Sequence, residues 1–197
     1  MGLVDRVKNI LLKPSQEWEV IDAEPATVSS LYTGYIMPLA ALGPICTAIG
    51  SSVFGLRLPF VGTWRTPIGS AITAAVVSYV LTLIGVYVLA LIIDNLAPTF
   101  SGTRSMIQAL KVAAYSYTAS WVVGVFSILP AMGILRILGL YSLYLLYLGL
   151  PVLMKSPKEK AFGYTAVVII VGIVLGVIIA VVAGRFVAGP AMGGFTP

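Results

Sequence analysis

Charged residues divide the chain into long apolar stretches. Five intervals of 18–32 residues contain no Asp, Glu, Lys or Arg, and these are 25–56, 66–93, 112–135, 137–154 and 161–184. A helix needs about 20 residues to cross a bilayer, and backbone groups in lipid must form their hydrogen bonds within the spanning structure. The pattern therefore predicts five membrane helices, near Leu31–Val53, Ile68–Ile93, Val112–Leu129, Ile134–Met154 and Tyr164–Val187.

We expect an all-α polytopic membrane protein in which residues 31–187 form a bundle of five transmembrane helices. Residues 1–30 are expected to be a cytoplasmic or interfacial segment, and residues 188–197 a short non-cytoplasmic tail. Composition supports a membrane protein, since 59% of the 197 residues are apolar and only 10% are charged. An ordinary globular domain carries about a quarter charged residues. A soluble fold is therefore excluded.

The first 24 residues have the pattern of two short amphipathic helices. Apolar residues recur at helical spacing over 3–11, and charged side chains occupy the other faces. The Lys13-Pro14 pair ends the first helix, and a second one follows with Trp18 on its apolar face. We expect both helices to lie flat on the membrane, with Trp18 and Lys13 as interfacial anchors. The alternative is a plain lead-in to the first membrane helix.

The distribution of Lys and Arg predicts the orientation. Eight of the 12 basic residues fall on the side of the N-terminus and four on the other side. This bias places the N-terminus in the cytoplasm, and five crossings then place the C-terminus outside. We expect a multi-pass protein of a bacterial or archaeal plasma membrane. The net charge of +5 is a topology signal and an attraction to the lipid bilayer, and we expect no nucleic-acid partner.

Histidine and cysteine, which many enzymes use in catalysis or metal binding, are absent or nearly absent from the sequence. The chain has no histidine and a single cysteine, Cys46. A histidine base, a His-based zinc site, a CxxC pair and an internal disulfide are therefore excluded. The predicted spans also contain no paired acidic residues that could act as general acid and base. We predict no enzyme activity, no catalytic or metal-binding residues and no cofactor.

Polar residues within the predicted spans are the places where function is expected. The candidate cluster consists of Asp94, Asn95, Tyr115, Ser116, Tyr117, Thr118 and Tyr144. One interpretation is a polar pocket or a path for a lipid headgroup, an ion or a small solute. The alternative is hydrogen bonding between helices together with an aromatic belt at the membrane surface. Asp94 also fits a plain interfacial role.

Prolines are expected to kink two of the membrane helices. Pro38 and Pro44 lie in the first predicted span, and Pro151 lies near the inner end of the fourth. Each removes a backbone donor and frees a carbonyl of the preceding turn. The freed carbonyls either line a cavity or accompany packing alone.

Four segments together resemble the Yip1 family. They are the lead-in PSQEW at 14–18, the Gly43-Pro44 pair, the run ALKVAAYSYT at 109–118, and the stretch from Tyr141-Ser142-Leu143-Tyr144 to Lys155-Ser156-Pro157. The resemblance covers nearly the whole chain. It implies five membrane helices, a cytoplasmic N-terminus and a prokaryotic branch of the family, whose eukaryotic members are associated with Rab GTPases and vesicle traffic.

One departure from the family pattern bears on function. The family's Asp-Leu-Tyr-Gly-Pro sequence near the first span is present only as Ala41-Leu42-Gly43-Pro44, which argues against Rab binding. We expect a non-enzymatic protein that organises the membrane, or that binds other membrane proteins or a second copy of itself. The alternative is a small conduit for a solute or ion, or a lipid-moving protein, that uses the polar residues of the third and fourth helices.

Overall fold

The computed structural model describes residues 2–58 and 62–187, and the expected tail at 188–197 lies outside the described residues. The described chain is helical along almost its whole length. The α-helices are α1 (Leu3–Leu12), α2 (Pro14–Ala23), α3 (Val28–Leu31), α4 (Met37–Ala40), α5 (Leu42–Ile49), α6 (Ile68–Leu96), α7 (Met106–Ser116), α8 (Thr118–Val123), α9 (Tyr141–Leu153) and α10 (Lys158–Val187). Two π-type segments cover Tyr32–Ile36 and Gly50–Phe54, and 3-10 segments cover Ala97–Phe100, Gly124–Ile128 and Pro130–Leu140.

A small antiparallel hairpin follows the first membrane helix. Its strands are β1 (Leu56–Leu58) and β2 (Gly62–Trp64), and Leu56 lies opposite Trp64. Gly55 has a φ of 69° where the chain enters the hairpin, a conformation that glycine adopts without steric cost. The hairpin is an addition that the apolar pattern of this loop did not predict.

Four helical segments are long and apolar enough to cross a membrane. They are Val28–Phe54, Ile68–Phe100, Ile134–Leu153 and Lys158–Arg185, which correspond to the first, second, fourth and fifth predicted spans. The third predicted span is not one continuous α-helix. It consists of α7, α8 and the 3-10 segment Gly124–Ile128, with a break at Tyr117. The Thr118 hydroxyl donates to the Tyr115 carbonyl at 2.7 Å, a local bond of the kind that bends helices.

The interrupted third segment lies at the centre of the bundle. Every residue of α7 from Ala109 to Ser116 is buried, and α7 packs between α6 and α9. α10 packs along α6 and also against α9, and α5 packs against α6. α1, α2 and the loops at 97–105 and 154–157 lie at one end, which we call the N-terminal end. The hairpin β1–β2 and the turn at 129–133 lie at the opposite end.

The two N-terminal helices have the predicted limits but a different environment. α1 ends at Leu12 and α2 begins at Pro14. Trp18, expected as an interfacial anchor, is instead completely buried. Its ring packs on Gly149 of α9, where a Cβ would lie only 2.6 Å from Trp18 Cζ2. α2 docks with this face because a glycine leaves room for the indole, and Lys13 remains exposed at the turn between the two helices.

The prolines lie at different kinds of position. Pro38 follows a π-type segment, and the first span is interrupted at Ala41, between Pro38 and Pro44. π-type turns are common where the regular hydrogen-bond ladder is disturbed. α9 continues through Pro151 to Leu153. The proline-rich part of the first span is therefore irregular, whereas the fourth span remains helical at its proline.

Candidate functional site

A buried arginine joins α1 to the rest of the bundle. Arg6 is 5% exposed, and its guanidinium forms ion pairs with Glu17 and Glu24. The guanidinium carbon also lies 5.7 Å from the ring centroid of Tyr115 on α7, within the range of a cation–π contact. Burial alone would lower the pKa of Arg6, but Glu24, Tyr115 and Glu17 outweigh it, so the pKa is raised. The guanidinium therefore stays charged.

Lys111 of α7 caps the C-terminal end of α2. Its ammonium donates to the carbonyl oxygens of Ile21 at 2.7 Å and Glu24 at 2.6 Å. These carbonyls have no helical partner of their own, and a cation is favourable at that end of a helix. Lys111 and Arg6 thus hold the N-terminal helices against α7.

Asp94 and Asn95 form a separate polar group at the N-terminal end. Arg104 donates to Asp94 Oδ2 from Nε at 3.1 Å and from an Nη at 2.9 Å. The same Nη donates to Asn95 Oδ1 at 2.8 Å. The Arg104 side chain is 56% exposed, so this is a semi-exposed ion pair. Asp94 thus binds a partly exposed arginine at the end of the bundle, and its interfacial role stays a prediction.

Tyr115 and Thr118 belong to a buried aromatic network. The hydroxyls of Tyr35 and Thr118 lie 2.6 Å apart, and the rings of Tyr35 and Tyr115 are 4.5 Å apart. Trp18 contacts Tyr115 edge-on at 6.3 Å. The network connects α2, the first span and α7 through the Tyr35–Thr118 hydrogen bond and ring contacts, while the buried Trp18 Nε1 has no hydrogen-bond partner in the described part of the chain. Tyr115 and Thr118 therefore make contacts between helices.

Ser116 and Tyr117 instead line a large cavity. Its volume is about 700 Å³, within the range of about 300–1,000 Å³ that is usual for small-molecule sites. All five predicted spans contribute to its wall. Ser116 is 4% exposed, and its Oγ has no hydrogen-bond partner in the described part of the chain.

The cavity follows the half of the bundle away from α1 and α2. On α6 it runs from Ala71 to Leu89, which is roughly 27 Å at 1.5 Å per residue. Asp94 does not line it. Most of the wall is apolar, and hydroxyl groups are spaced along it, including those of Thr47, Ser78, Thr82, Ser120, Ser127 and Ser142. Arg136 is the only charged residue among the described lining residues.

Tyr144 lies in a fourth place. It is exposed and tilted against Tyr141 at 5.4 Å, and it lines an apolar groove between α9 and α10. The groove adjoins the cavity, since Leu143 and Ile169 line both. The seven candidate residues are thus divided among four places: the Arg104 pair, the aromatic network, the cavity and the groove.

Sequence reasoning missed the residues that lock the N-terminal helices. The sequence predicts Arg6 on a charged face of the first helix and Lys111 only as a topology signal, and it does not indicate Glu17 as the partner of Arg6. No local pattern marks them, because their partners become neighbours only when α1 and α2 dock with α7. Across the described ranges, no three His, Cys, Asp or Glu side chains are grouped where they would hold a metal ion.

The comparisons with known proteins point to one family. The Yip1 domain matches residues 8–179. The inner membrane protein YohC of Escherichia coli K12 is 26% identical over 176 residues, which cover 87% of this chain and 90% of that protein. The protein of the same name from E. coli O6:H1 matches to the same extent. No solved structure matches the chain.

Proposed function

The chain belongs to the Yip1 family, and on this premise we propose that it is a non-enzymatic protein that organises the membrane. It contacts the lipid surface with the turn between α1 and α2, and it binds other membrane proteins or a second copy of itself through its lipid-facing helices. The observation that carries the proposal is the turn itself. Leu12 is 69% exposed and stands beside the exposed Lys13, an apolar and a basic side chain as at a lipid surface.

The height of the bundle supports this position of the turn. α6 has 29 residues and is about 43 Å long at 1.5 Å per residue, whereas the hydrocarbon core is about 30 Å thick. Part of the bundle therefore extends beyond the hydrocarbon. The Tyr141 hydroxyl donates to the Leu11 carbonyl at 3.1 Å. Because Tyr141 is at the start of α9, away from the N-terminal end, the turn is the part of α1 and α2 that lies nearest the middle of the bundle.

Membrane contact by the turn can be tested by measuring how deeply a spin label at the turn lies in the membrane. In a Cys46→Ala background, a spin label at Leu12→Cys is expected to be accessible to oxygen and protected from a water-soluble nickel reagent. Val4→Cys is the matched control, because Val4 is an exposed apolar residue at the other end of α1 and is expected to be accessible to nickel. Equal nickel accessibility at both positions would contradict membrane contact by the turn.

Five crossings are part of the same proposal. The third crossing is the interrupted segment 106–128. The 18 residues from the start of α7 to the end of α8 and the five residues of the 3-10 segment have a combined length of about 37 Å. The excess of Lys and Arg on the N-terminal side favours a cytoplasmic N-terminus. A C-terminal fusion to alkaline phosphatase should therefore be active and a fusion to green fluorescent protein dark. The reverse result would contradict five crossings from a cytoplasmic N-terminus.

Partner binding is supported by the lipid-facing side of α10. This helix exposes a run of branched apolar residues, among them Ile170, Val174 and Ile178, none of which lines the cavity. A photo-crosslinker at Ile178 is expected to give a specific protein adduct that the same crosslinker at Val4 does not give. Adducts with lipid alone at Ile178 would count against a protein partner at this face.

The cavity favours a second candidate, a conduit or lipid-moving protein. It reaches Tyr117 but not Asp94. In reconstituted vesicles, solute leak or lipid scrambling should therefore fall in Tyr117→Phe, which removes only the hydroxyl, and persist in Asp94→Asn, whose carboxylate lies outside the cavity. Vesicles that remain tight and unscrambled with the unmodified protein would remove this candidate.

A further inference from the structure

The cavity carries a single positive charge that has no acidic neighbour. Arg136 lines the cavity near the end opposite α1 and α2, and no carboxylate pairs with it in the described part of the chain. The other described lining residues are apolar, glycine or hydroxyl-bearing. An occupant that complements this wall has an anionic group at Arg136 and an apolar body.

The unpaired hydroxyl of Ser116 indicates that the occupant also brings an acceptor. Buried polar side chains are normally hydrogen-bonded, yet Ser116 Oγ is buried without a partner in the wall of this cavity. The hydroxyl of the neighbouring Tyr117 points toward Gly172, where a Cβ would lie 3.5 Å from it. An ester oxygen, or a water molecule that accompanies it, would satisfy such donors.

The cavity opens toward the lipid. Leu140, Leu143 and Ile173 line the cavity and are exposed, and Leu143 lies in the cavity wall and in the outer groove at once. They lie on the fourth and fifth spans, next to the apolar groove that shares Leu143 with the cavity. A molecule dissolved in the bilayer can therefore enter sideways, with its charged group at the exposed Arg136 and its apolar part against the apolar wall.

We propose that the cavity is a binding site for one anionic phospholipid, with its phosphate at Arg136 and an acyl chain inside the bundle. The inference goes beyond the proposed function, because neither partner binding nor a conduit requires a resident lipid. It also gives the groove a role, as the place where the second acyl chain leaves the cavity.

Quenching by brominated lipid tests the site directly. Trp121 lines the cavity, and bromine on an acyl chain quenches tryptophan only at short range. The purified full-length protein in non-ionic detergent is titrated with dibrominated phosphatidylglycerol or phosphatidylcholine, and Trp121→Phe identifies the Trp121 part of the signal. We expect saturable quenching by phosphatidylglycerol at roughly one-tenth of the phosphatidylcholine concentration, since both lipids bring a phosphate to Arg136 but only phosphatidylcholine also brings a choline cation, which Arg136 repels.

Two pairs of variants distinguish lipid binding in the cavity from nonspecific lipid binding on the outer surface of the protein. Arg136→Gln should abolish the preference for phosphatidylglycerol, while Arg65→Gln, an exposed arginine at the same end that does not line the cavity, should keep it. Gly176→Leu fills open space in the cavity wall and should weaken quenching by both lipids. Gly69→Leu, which also has open space but lies outside the cavity, should not.

The result that overturns the inference is equal quenching by the two lipids in the unmodified protein, or equal effects of Arg136→Gln and Arg65→Gln. Displacement of the lipid by excess glycerol phosphate would also overturn it, because the site would then bind a free phosphate. If Gly176→Leu does not fold, Arg136→Gln decides the question alone, since it alters an exposed side chain.

Discussion

Replacement of Arg6 by methionine should detach α1 and α2 from the bundle. The side chains of Arg6 and Glu17 are each only 6% exposed, so Arg6→Met leaves the Glu17 carboxylate buried without its cation. Methionine has a similar length and keeps most of the packing. The variant therefore isolates the charge from the volume of the side chain.

The expected loss is large for a single substitution. Removal of one partner from a buried ion pair costs about 3–5 kcal/mol. The Glu24 side chain is 43% exposed, so the second ion pair of Arg6 adds at most about 1 kcal/mol. The total is about 3–6 kcal/mol, and at about 2–4 °C per kcal/mol for a chain of this size the unfolding midpoint should fall by about 6–24 °C.

The single cysteine provides the assay. Cys46 is buried, so a thiol-reactive dye reports its exposure when the purified protein is heated in detergent. Arg6→Met with Glu17→Met should regain most of the lost stability, because an apolar pair often replaces a buried ion pair at little cost. Lys8→Met, at an exposed position of α1, is the control. A double variant less stable than Arg6→Met, or an Arg6→Met midpoint equal to that of Lys8→Met, would refute the reasoning.

Three further substitutions probe the same end of the bundle. Gly149→Ala places a methyl group 2.6 Å from Trp18 and should cost about 1–3 kcal/mol, measured with the same dye. Lys111→Met leaves two carbonyls of the α2 end unpaired and should cost about 1–3 kcal/mol, seen as faster proteolysis between α2 and the first span. Arg104→Gln removes the semi-exposed pair with Asp94 and should cost at most about 1 kcal/mol, so its dye midpoint should change by only a few degrees.

Features set by local chemistry could be predicted from the sequence. The junction between α1 and α2 falls at Lys13-Pro14 because proline cannot continue the preceding helix. Four helices that are long and apolar enough to cross a membrane lie where the uncharged stretches exceed the length needed to cross lipid. The break at Tyr117 could not be predicted from hydropathy. It accompanies the hydrogen bond from the Thr118 hydroxyl to the Tyr115 carbonyl and the burial of α7 at the centre of the bundle, and hydropathy reports neither.

Features set by distant contacts could not be predicted. Trp18 was assigned to the membrane surface, where tryptophan is common, but Gly149 provides space for it inside the protein. Ser116 and Thr118 are two residues apart and were placed in one cluster. On a helix they point in different directions, so one lines the cavity and the other pairs with Tyr35. Sequence proximity on a helix therefore did not mean a shared site.

The two ends of the bundle differ in a way that bears on function. At the N-terminal end, Arg6 and Lys111 fix the docked helices and Trp18 fills the interior. At the opposite end, small residues and hydroxyls surround a cavity that opens toward lipid beside Arg136. Because packed interiors resist deformation, a ligand entering from the bilayer can rearrange the hollow half more easily than the packed half. Changes at the cavity should therefore alter lipid binding with little effect on stability, whereas changes at Arg6 should do the reverse.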